Sequence, residues 1–442
     1  MRNYAIIIAA LLIALQSKAQ PFLKPAPPQE KAVILLNGTI HVGNGVVIEH
    51  GALGFADGKI TMIADARLIR VNPEEALVID VTGKHIYPGL ISLNSNLGLV
   101  EISALRASRD MRETGKYNPE LRALVAYNTD SEVIPTVRSN GILLVETAPA
   151  GGRISGISSL MKSDGWNWED AVYARDIGLH LYWPSRYEMI RWGPEAGRMK
   201  ENKNWRGEVD EMHTLFLDAG AYCSTDSHPE KNIKLEALCP VLSGERKVFI
   251  HVNRAPDILR AIDFAREFGL AAVLTGAADS WMLTDEIKAS GYPVVLESIH
   301  RLPSMADRDI DQPFRTPAIL AEAGILFCIS RGGPSSFWDQ RNLPFLAGTA
   351  VTYGLDREVA LQAVSSHAAR IAGVDDRTGT LEEGKDANII VCDGDLFEMK
   401  ESVVSRAFIE GRMIDLNNKQ KMLYKKYSEK YGLNAGEEDT LR

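Results

Sequence analysis

Histidine and cysteine are scarce in this chain, at nine and four of 442 residues. Four cysteines, at 223, 239, 328 and 392, are too few to build a disulfide scaffold in a protein of this length. Cys223 and Cys239 are the nearest pair and are open to a bridge, with two separate thiols the favoured reading. Cys328 and Cys392 sit in apolar, strand-like runs and read as core. His41, His50, His213, His228 and His300 lack paired metal-ligand spacing, and His367 falls on a helix face suited to packing. An excess of basic charge is also missing: the formal net charge is −9, which excludes a general phosphate-backbone binder, so nucleic acid is not an expected partner. The glycine-rich stretch Gly151-Gly152-Arg153-Ile-Ser-Gly156 has neither the Gly-Lys-Ser/Thr ending of a phosphate loop nor the strand-turn-helix setting of a dinucleotide fingerprint. Ser158-Ser159 and Ser335-Ser336 lack the nucleophile-elbow pattern, which argues against a serine hydrolase. No internal repeat is visible.

Long apolar runs are missing too. The apolar stretch Ala5 to Leu15 is too short for a stable membrane span. With Arg2 before it and Ser17-Lys18-Ala19 after it, it reads as a secretory signal over residues 1–19, cleaved before Gln20. The expectation is a periplasmic or secreted protein with no membrane span after cleavage. Residues 20–30 form a Pro-rich linker.

Residues 31–85 read as short strands, Ala32-Val-Ile-Leu-Leu, Gly45-Val-Val-Ile-Glu, Gly51-Ala-Leu-Gly-Phe and Lys59-Ile-Thr-Met-Ile. Turn signals at Asn37-Gly38 and Asp57-Gly58 suggest an antiparallel sheet. Residues 379–415 are strand-like again, so a small β-sandwich assembled from both ends of the chain is expected. Between them, strand-like runs end near Leu93, Thr147, Met161, Trp183, Val252, Thr275, Glu297 and Ser330. Eight such runs with amphipathic segments between them predict a parallel (β/α)8 TIM barrel over residues 86–378, an α/β fold. A helix is expected from Pro256 to Gly269, another from an Asp356 N-cap to Gly373, and inserted helices between Ser185 and Ala237. Residues 416–442 are read as a tail.

Three segments carry a resemblance over nearly the whole chain: Tyr87-Pro-Gly-Leu-Ile, Val248-Phe-Ile-His-Val-Asn-Arg-Ala-Pro-Asp-Ile, and Gly379-Thr-Leu-Glu-Glu-Gly-Lys-Asp-Ala-Asn-Ile-Ile-Val. They resemble the amidohydrolase superfamily, near its imidazolonepropionase-like and prolidase-like branch. The resemblance implies zinc or another divalent metal at the C-terminal mouth of the barrel. Its ligands would be a His-x-His pair on strand one and histidines on strands five and six, with an aspartate on strand eight moving the proton. The ion would lower the pKa of its bound water to about 7.

Set against that pattern, strand one carries Asn94 and Asn96, strand six Thr275 or Gly276, and strand eight Ser330. Only His251 on strand five stands at a family ligand position. Amide oxygens do not replace two imidazoles on zinc. The expectation is therefore a degenerate metal site, with no metal and no cofactor. The candidate catalytic pair is His251 as base and Arg331 as oxyanion partner. Asn94, Asn96, His180, Glu297, Ser330, Trp338 and Arg341 are candidate ligand-binding residues at the mouth. His180 on strand four is expected to be a buried histidine bonded to backbone. Expected partners are a small-molecule ligand at the barrel mouth and either a second copy of this chain or a related amidohydrolase. Carbon-nitrogen bond hydrolysis with altered chemistry and a noncatalytic binding role are the competing functions.

Overall fold

The computed structural model describes residues 24–433, apart from 71, 73, 75, 191–192, 196–197, 226, 298, 304, 306 and 333–336. The expected signal segment and the Ser335-Ser336 pair lie outside the described residues. Among the described residues no helix is long and apolar enough to cross a membrane.

Both ends of the chain build one small sheet. Its strand order is Arg412–Met413, Val404–Ile409, Ile389–Cys392, His85–Pro88, Ala32–His41, Val47–Ala56 and Lys59–Asp65, with Ala76–Asp80 paired to the first strand of the chain. The two ends meet where His85–Pro88 runs antiparallel to Ile389–Cys392. Its buried face gathers Val33, Leu35, Leu53, Phe55, Ile389 and Phe408. Phe55 and Phe408 meet edge to face at 4.9 Å, and a buried phenylalanine contributes about 2 kcal/mol. Two sequence expectations change here. The sheet is mixed, because Ala32–His41 pairs in parallel with Ala76–Asp80 and His85–Pro88. Asn37-Gly38 is not a hairpin turn: the strand runs straight through it, with a register shift and Asn37 at φ 68°. Such a bulge takes up one left-handed residue without ending the strand. Asp57-Gly58 is the tight turn expected, with both residues at positive φ.

The central sheet has eight strands: β1 (Leu90–Ser95), β2 (Ile142–Thr147), β3 (Ile154–Lys162), β4 (Val172–Tyr182), β5 (Lys247–Val252), β6 (Ala272–Gly276), β7 (Val294–Glu297) and β8 (Phe327–Ser330). They lie side by side in chain order. The sheet curls until β8 faces β1, where the Ser330 hydroxyl donates to the Leu93 carbonyl and bridges the two edges. The eight runs are where the sequence puts them, but one runs the other way. β3 is antiparallel to both β2 and β4, whereas the remaining paired neighbours are parallel. The cause is the connection 148–153, since a parallel crossover needs a dozen or more residues and this one allows only a hairpin. The return to β4 holds a single helical turn, Trp168–Ala171, capped by Asn167.

Side chains along the strands alternate with period two. One set, including Leu90, Val145, Leu179, Ile250, Leu274, Leu296 and Ile329, belongs to the large core shared with the surrounding helices. The other, including Ile91, Leu93, Leu144, Leu160, Phe249, Val273, Val295 and Cys328, packs as a separate cluster that fills the barrel. The helices follow their signals. Ala255–Glu267 buries Ile258, Ala261, Ile262 and Ala265, and its chain turns at Gly269. Asp356 caps Arg357–Val364, and the run to Gly373 continues as a second helix, Ser366–Ala372.

The inserted region contains a hairpin, Tyr187–Met189 with Met199–Glu201, and two helices, Trp205–Cys223 and Ile233–Leu242. These helices are joined by a Cys223–Cys239 disulfide, which corrects the reading of separate thiols. Helix pairing brings the two Cα atoms to 5.5 Å, a closeness that sequence spacing does not report. Closing a loop of sixteen residues constrains the unfolded chain by about 3 kcal/mol. Urea unfolding with and without dithiothreitol is expected to show a loss of that order on reduction. The tail, too, is partly structured, as a helix over Lys419–Tyr431.

Candidate functional site

Period-two alternation places one polar residue after the barrel-filling hydrophobics on several strands. Glu146 follows Leu144, His251 follows Phe249, Thr275 follows Val273, Glu297 follows Val295 and Ser330 follows Cys328. All five lie at or next to the C-terminal ends of strands that run toward the mouth. Ser158 on β3 and His180 on β4 have the matching phase.

Glu146, Ser158, His180 and His251 form a hydrogen-bonded chain, and Asn94 ties Glu297 to it. Glu146 is fully buried and accepts from Ser158 Oγ at 2.6 Å, His180 Nε2 at 3.1 Å and the Asn94 backbone N–H at 2.8 Å. Burial opposes its charge, but these three donors together hold the carboxyl below its ordinary range. His180 Nδ1 lies 2.9 Å from His251 Nε2, and His251 Nδ1 lies 3.8 Å from Glu297 Oε1. The proton positions follow from the acceptor at one end. An ionised Glu146 only accepts, so His180 Nε2 donates to it and His180 Nδ1 accepts from His251 Nε2. A bare lone pair on His251 Nδ1 then faces Glu297. Phe249 stacks on His180 at 4.9 Å and Tyr182 on His251 at 4.0 Å, fixing both ring planes. Burial first, and the neighbouring His180 second, lower the His251 pKa well below the usual imidazole value and keep it neutral.

Glu297 ends the chain at the mouth. Burial raises its pKa to about 7, partly offset by the Asn94 amide, which donates to it. Asn94 thus bridges two carboxylates, with its backbone N–H on Glu146 and its side chain on Glu297. It does so at φ 53°, a left-handed conformation that asparagine tolerates better than most residues. Gly332 lies over this contact, where an added Cβ would come within 2.9 Å of both Asn94 Nδ2 and Glu297 Oε1.

The sign of the pH dependence follows directly. A carboxyl with a folded-state pKa above its unfolded value contributes stability that is full below about 4.5 and is lost as pH rises through about 7. Glu297→Gln keeps an acceptor for Asn94 and removes the titration. The stability of wild type relative to this variant is expected to fall by about 3 kcal/mol between pH 4.5 and 7.5, then level off, in chemical denaturation at each pH.

The structure therefore gathers Asn94, His180, His251 and Glu297 from the sequence candidates. His180 corrects its expectation, since it bonds to two side chains and not to backbone. Asn96 turns its amide to the Ala148 carbonyl at 2.7 Å, and Ser330 closes the barrel wall. Arg331 pairs with Asp339 at 2.7 Å, and Arg341 stacks over Trp338 at 5.2 Å on the loop after β8. Glu146 is absent from the sequence candidates, and Ser158 enters there only in a serine pair without the nucleophile-elbow pattern. For Glu146 the signal was present: a carboxylate inside Ile142-Leu-Leu-Val-Glu-Thr147, two residues beyond a leucine of the barrel-filling phase.

Comparison with known proteins shows what the chain is similar to. The Amidohydrolase family model matches residues 332–414, the stretch that returns from the barrel to the small sheet. A solved amidohydrolase from Thermotoga maritima MSB8 superposes with a TM-score of 0.74 at 23% identity, covering 87% of this chain and 99% of that one. This chain shares the fold of solved amidohydrolases. A prolidase solved in complex with N-methylphosphonate-L-proline is similar at a TM-score of 0.53 and 16% identity, over 87% of this chain and all of that one. Among curated proteins, the amidohydrolase tasK of Hapsidospora irregularis is 21% identical over 377 residues, or 76% of this chain. This amidohydrolase-fold chain spans 37% of the length of tasK.

Proposed function

We propose that this chain is an exported amidohydrolase-fold protein whose barrel mouth binds a small amide-like or dipeptide-like molecule, the zinc-dependent hydrolysis typical of the superfamily having been lost. The observation that carries this reading is the wiring of the mouth's polar groups to one another. Zinc needs three or four donors converging on one point. Here both nitrogens of His180 are committed, His251 spends one nitrogen on His180, and Asn94 and Asn96 turn amide N–H groups to oxygens of the protein. Among the described residues, no three His, Cys, Asp or Glu side chains form a group that could hold a metal. The donor set does not fit the superfamily's ion. The ligand class is supported by the prolidase likeness. Export is supported by the apolar run Ala5–Leu15 and by the Cys223–Cys239 bridge, a bond that persists in oxidising compartments.

Elemental analysis of protein purified without chelators, paired with thermal-shift screening of Xaa-Pro dipeptides, N-acyl amino acids and cyclic imides, tests the proposal. The expected result is substoichiometric metal and a rise in Tm with at least one compound, reduced in Glu297→Gln. One metal per chain, with amide turnover abolished in His251→Ala, would sink it. In the noncatalytic role the protein pairs with itself or with an active amidohydrolase, which co-purification checks.

Glu297 favours a second reading, metal-independent acid–base hydrolysis. A carboxyl with a pKa of about 7 beside a bare imidazole lone pair is matched to taking a proton from water and returning it to a departing amine. Turnover by metal-free protein that disappears in Glu297→Gln would establish this reading over the binding role.

A further inference from the structure

The opposite end of the barrel carries a surface that the mouth does not use. Because β3 runs backwards, its last residue, Lys162, lies at the floor, and Lys162, Ser163 and Asp164 line a cavity of about 620 Å3 there. The rim of that cavity is shared by Trp166, by Leu423 and Lys426 of the C-terminal helix, and by Lys24. Trp166 is 67% exposed.

The C-terminal helix itself, Lys419–Tyr431, is hardly packed. Ser428 is its one buried residue among those described. Tyr424, Tyr427 and Tyr431 recur at helical spacing on one face and are 64%, 46% and 65% exposed. Beside them stand five lysines against a single glutamate, in a chain whose net charge is −9. Lys426 and Lys430 flank the tyrosine stripe on one side and Lys421 and Lys425 on the other, as their positions on a helical projection require. Tyrosine and tryptophan with flanking lysines suit the boundary between water and lipid, where rings sit among headgroups and ammonium groups reach the phosphates.

We propose that this floor surface docks on an anionic phospholipid bilayer. Charge and aromatic character together select that occupant: with Lys419 held by Glu132 at 2.7 Å, Lys421, Lys425, Lys426 and Lys430 stand around exposed tyrosine rings, a pairing that suits anionic headgroups over an apolar layer. Lys24 lies on the rim of the same cavity and adds a further ammonium group to that surface. The barrel mouth would then face away from the membrane, open to solvent.

The test is co-sedimentation of the full chain with neutral phosphatidylcholine vesicles and with vesicles containing 30% phosphatidylglycerol. The ratio of the two partition coefficients isolates the part of binding that depends on headgroup charge. Wild type is expected to prefer anionic vesicles by about 100-fold at low salt and to lose the preference in 0.5 M NaCl. Lys425→Gln/Lys426→Gln/Lys430→Gln should abolish most of it with circular dichroism and Tm unchanged. Tyr424→Ser/Tyr427→Ser should weaken binding to both vesicle types. Amide exchange across 419–431 should slow on anionic vesicles. An unchanged ratio in the lysine variant, equal binding to both vesicles by wild type, or a tyrosine-dependent dimer in sedimentation equilibrium without lipid preference would each overturn the proposal.

Discussion

Replacing Glu146 with alanine is expected to destabilise the fold by about 3–5 kcal/mol, among the largest effects of any single substitution in the barrel. The carboxylate has no exposure and serves three donors on three strands: the Asn94 backbone N–H, Ser158 Oγ and His180 Nε2. Alanine leaves the Asn94 N–H and His180 Nε2 buried without this acceptor, each costing about 1–3 kcal/mol, while the Ser158 hydroxyl keeps the Gly178 carbonyl at 3.2 Å. Glu146→Gln should cost less: with its amide oxygen kept on the Asn94 N–H, its NH2 group takes the place of Oε1, where it donates to Ser158 Oγ, whose hydroxyl keeps the Gly178 carbonyl, and meets His180 Nε2, forcing the imidazole tautomer to change. That change propagates to His251 and removes the bare nitrogen beside Glu297. Urea unfolding read by near-ultraviolet dichroism measures the first effect. A shift in the Glu297 titration of Glu146→Gln measures the second, and an unchanged titration would show that the chain of hydrogen bonds does not transmit proton positions.

A comparable loss, about 3–5 kcal/mol, is expected from Asp164→Ala at the floor. Asp164 is buried and accepts from Arg138 Nη1 at 2.8 Å, Arg412 Nη1 at 3.2 Å and the Ala26 backbone N–H at 3.0 Å. It ties the barrel to the C-terminal strand region and to the start of the described chain. Arg138 is buried, and burial lowers its pKa, offset in part by Asp164. Without the carboxylate a guanidinium would remain uncompensated in low dielectric. Asp164→Asn keeps the acceptor and should recover part of the loss. Because this cluster lies at the far end from Glu297, ligand-induced shifts in Tm should survive Asp164→Asn and fail in Glu146→Gln.

The fold was legible in the sequence to an unusual depth, for a definable reason. Parallel strands buried on both faces read as continuous apolar runs, and the predicted end of each run lies within two residues of an observed strand end. The direction of β3 was also written in the sequence, in the shortness of 148–153, but counting runs does not register the length of a connection. Asn37-Gly38 misled because the same dipeptide serves hairpins and bulges, and only the neighbouring strands decide between them. The site was half legible. Family position marked Asn94, His251 and Ser330, while Glu146 and His180 meet across the intervening β3, a contact that no local spacing encodes. The disulfide failed for the same reason.

The reversed strand bears on how the chain finds its fold. β2, β3 and β4 form a meander whose neighbours are separated by short connections, so their contacts close at small entropic cost. The pairing of His85–Pro88 with Ile389–Cys392 is the opposite case, since it joins segments from the two ends of the chain. Contacts of that range form slowly. The meander is thus placed to organise first, giving the barrel an early scaffold that already contains Glu146, Ser158 and His180. The N-terminal strands must wait with an open edge until Ile389–Cys392 arrives, and that interval is when the chain is most exposed to strand-edge association with other copies.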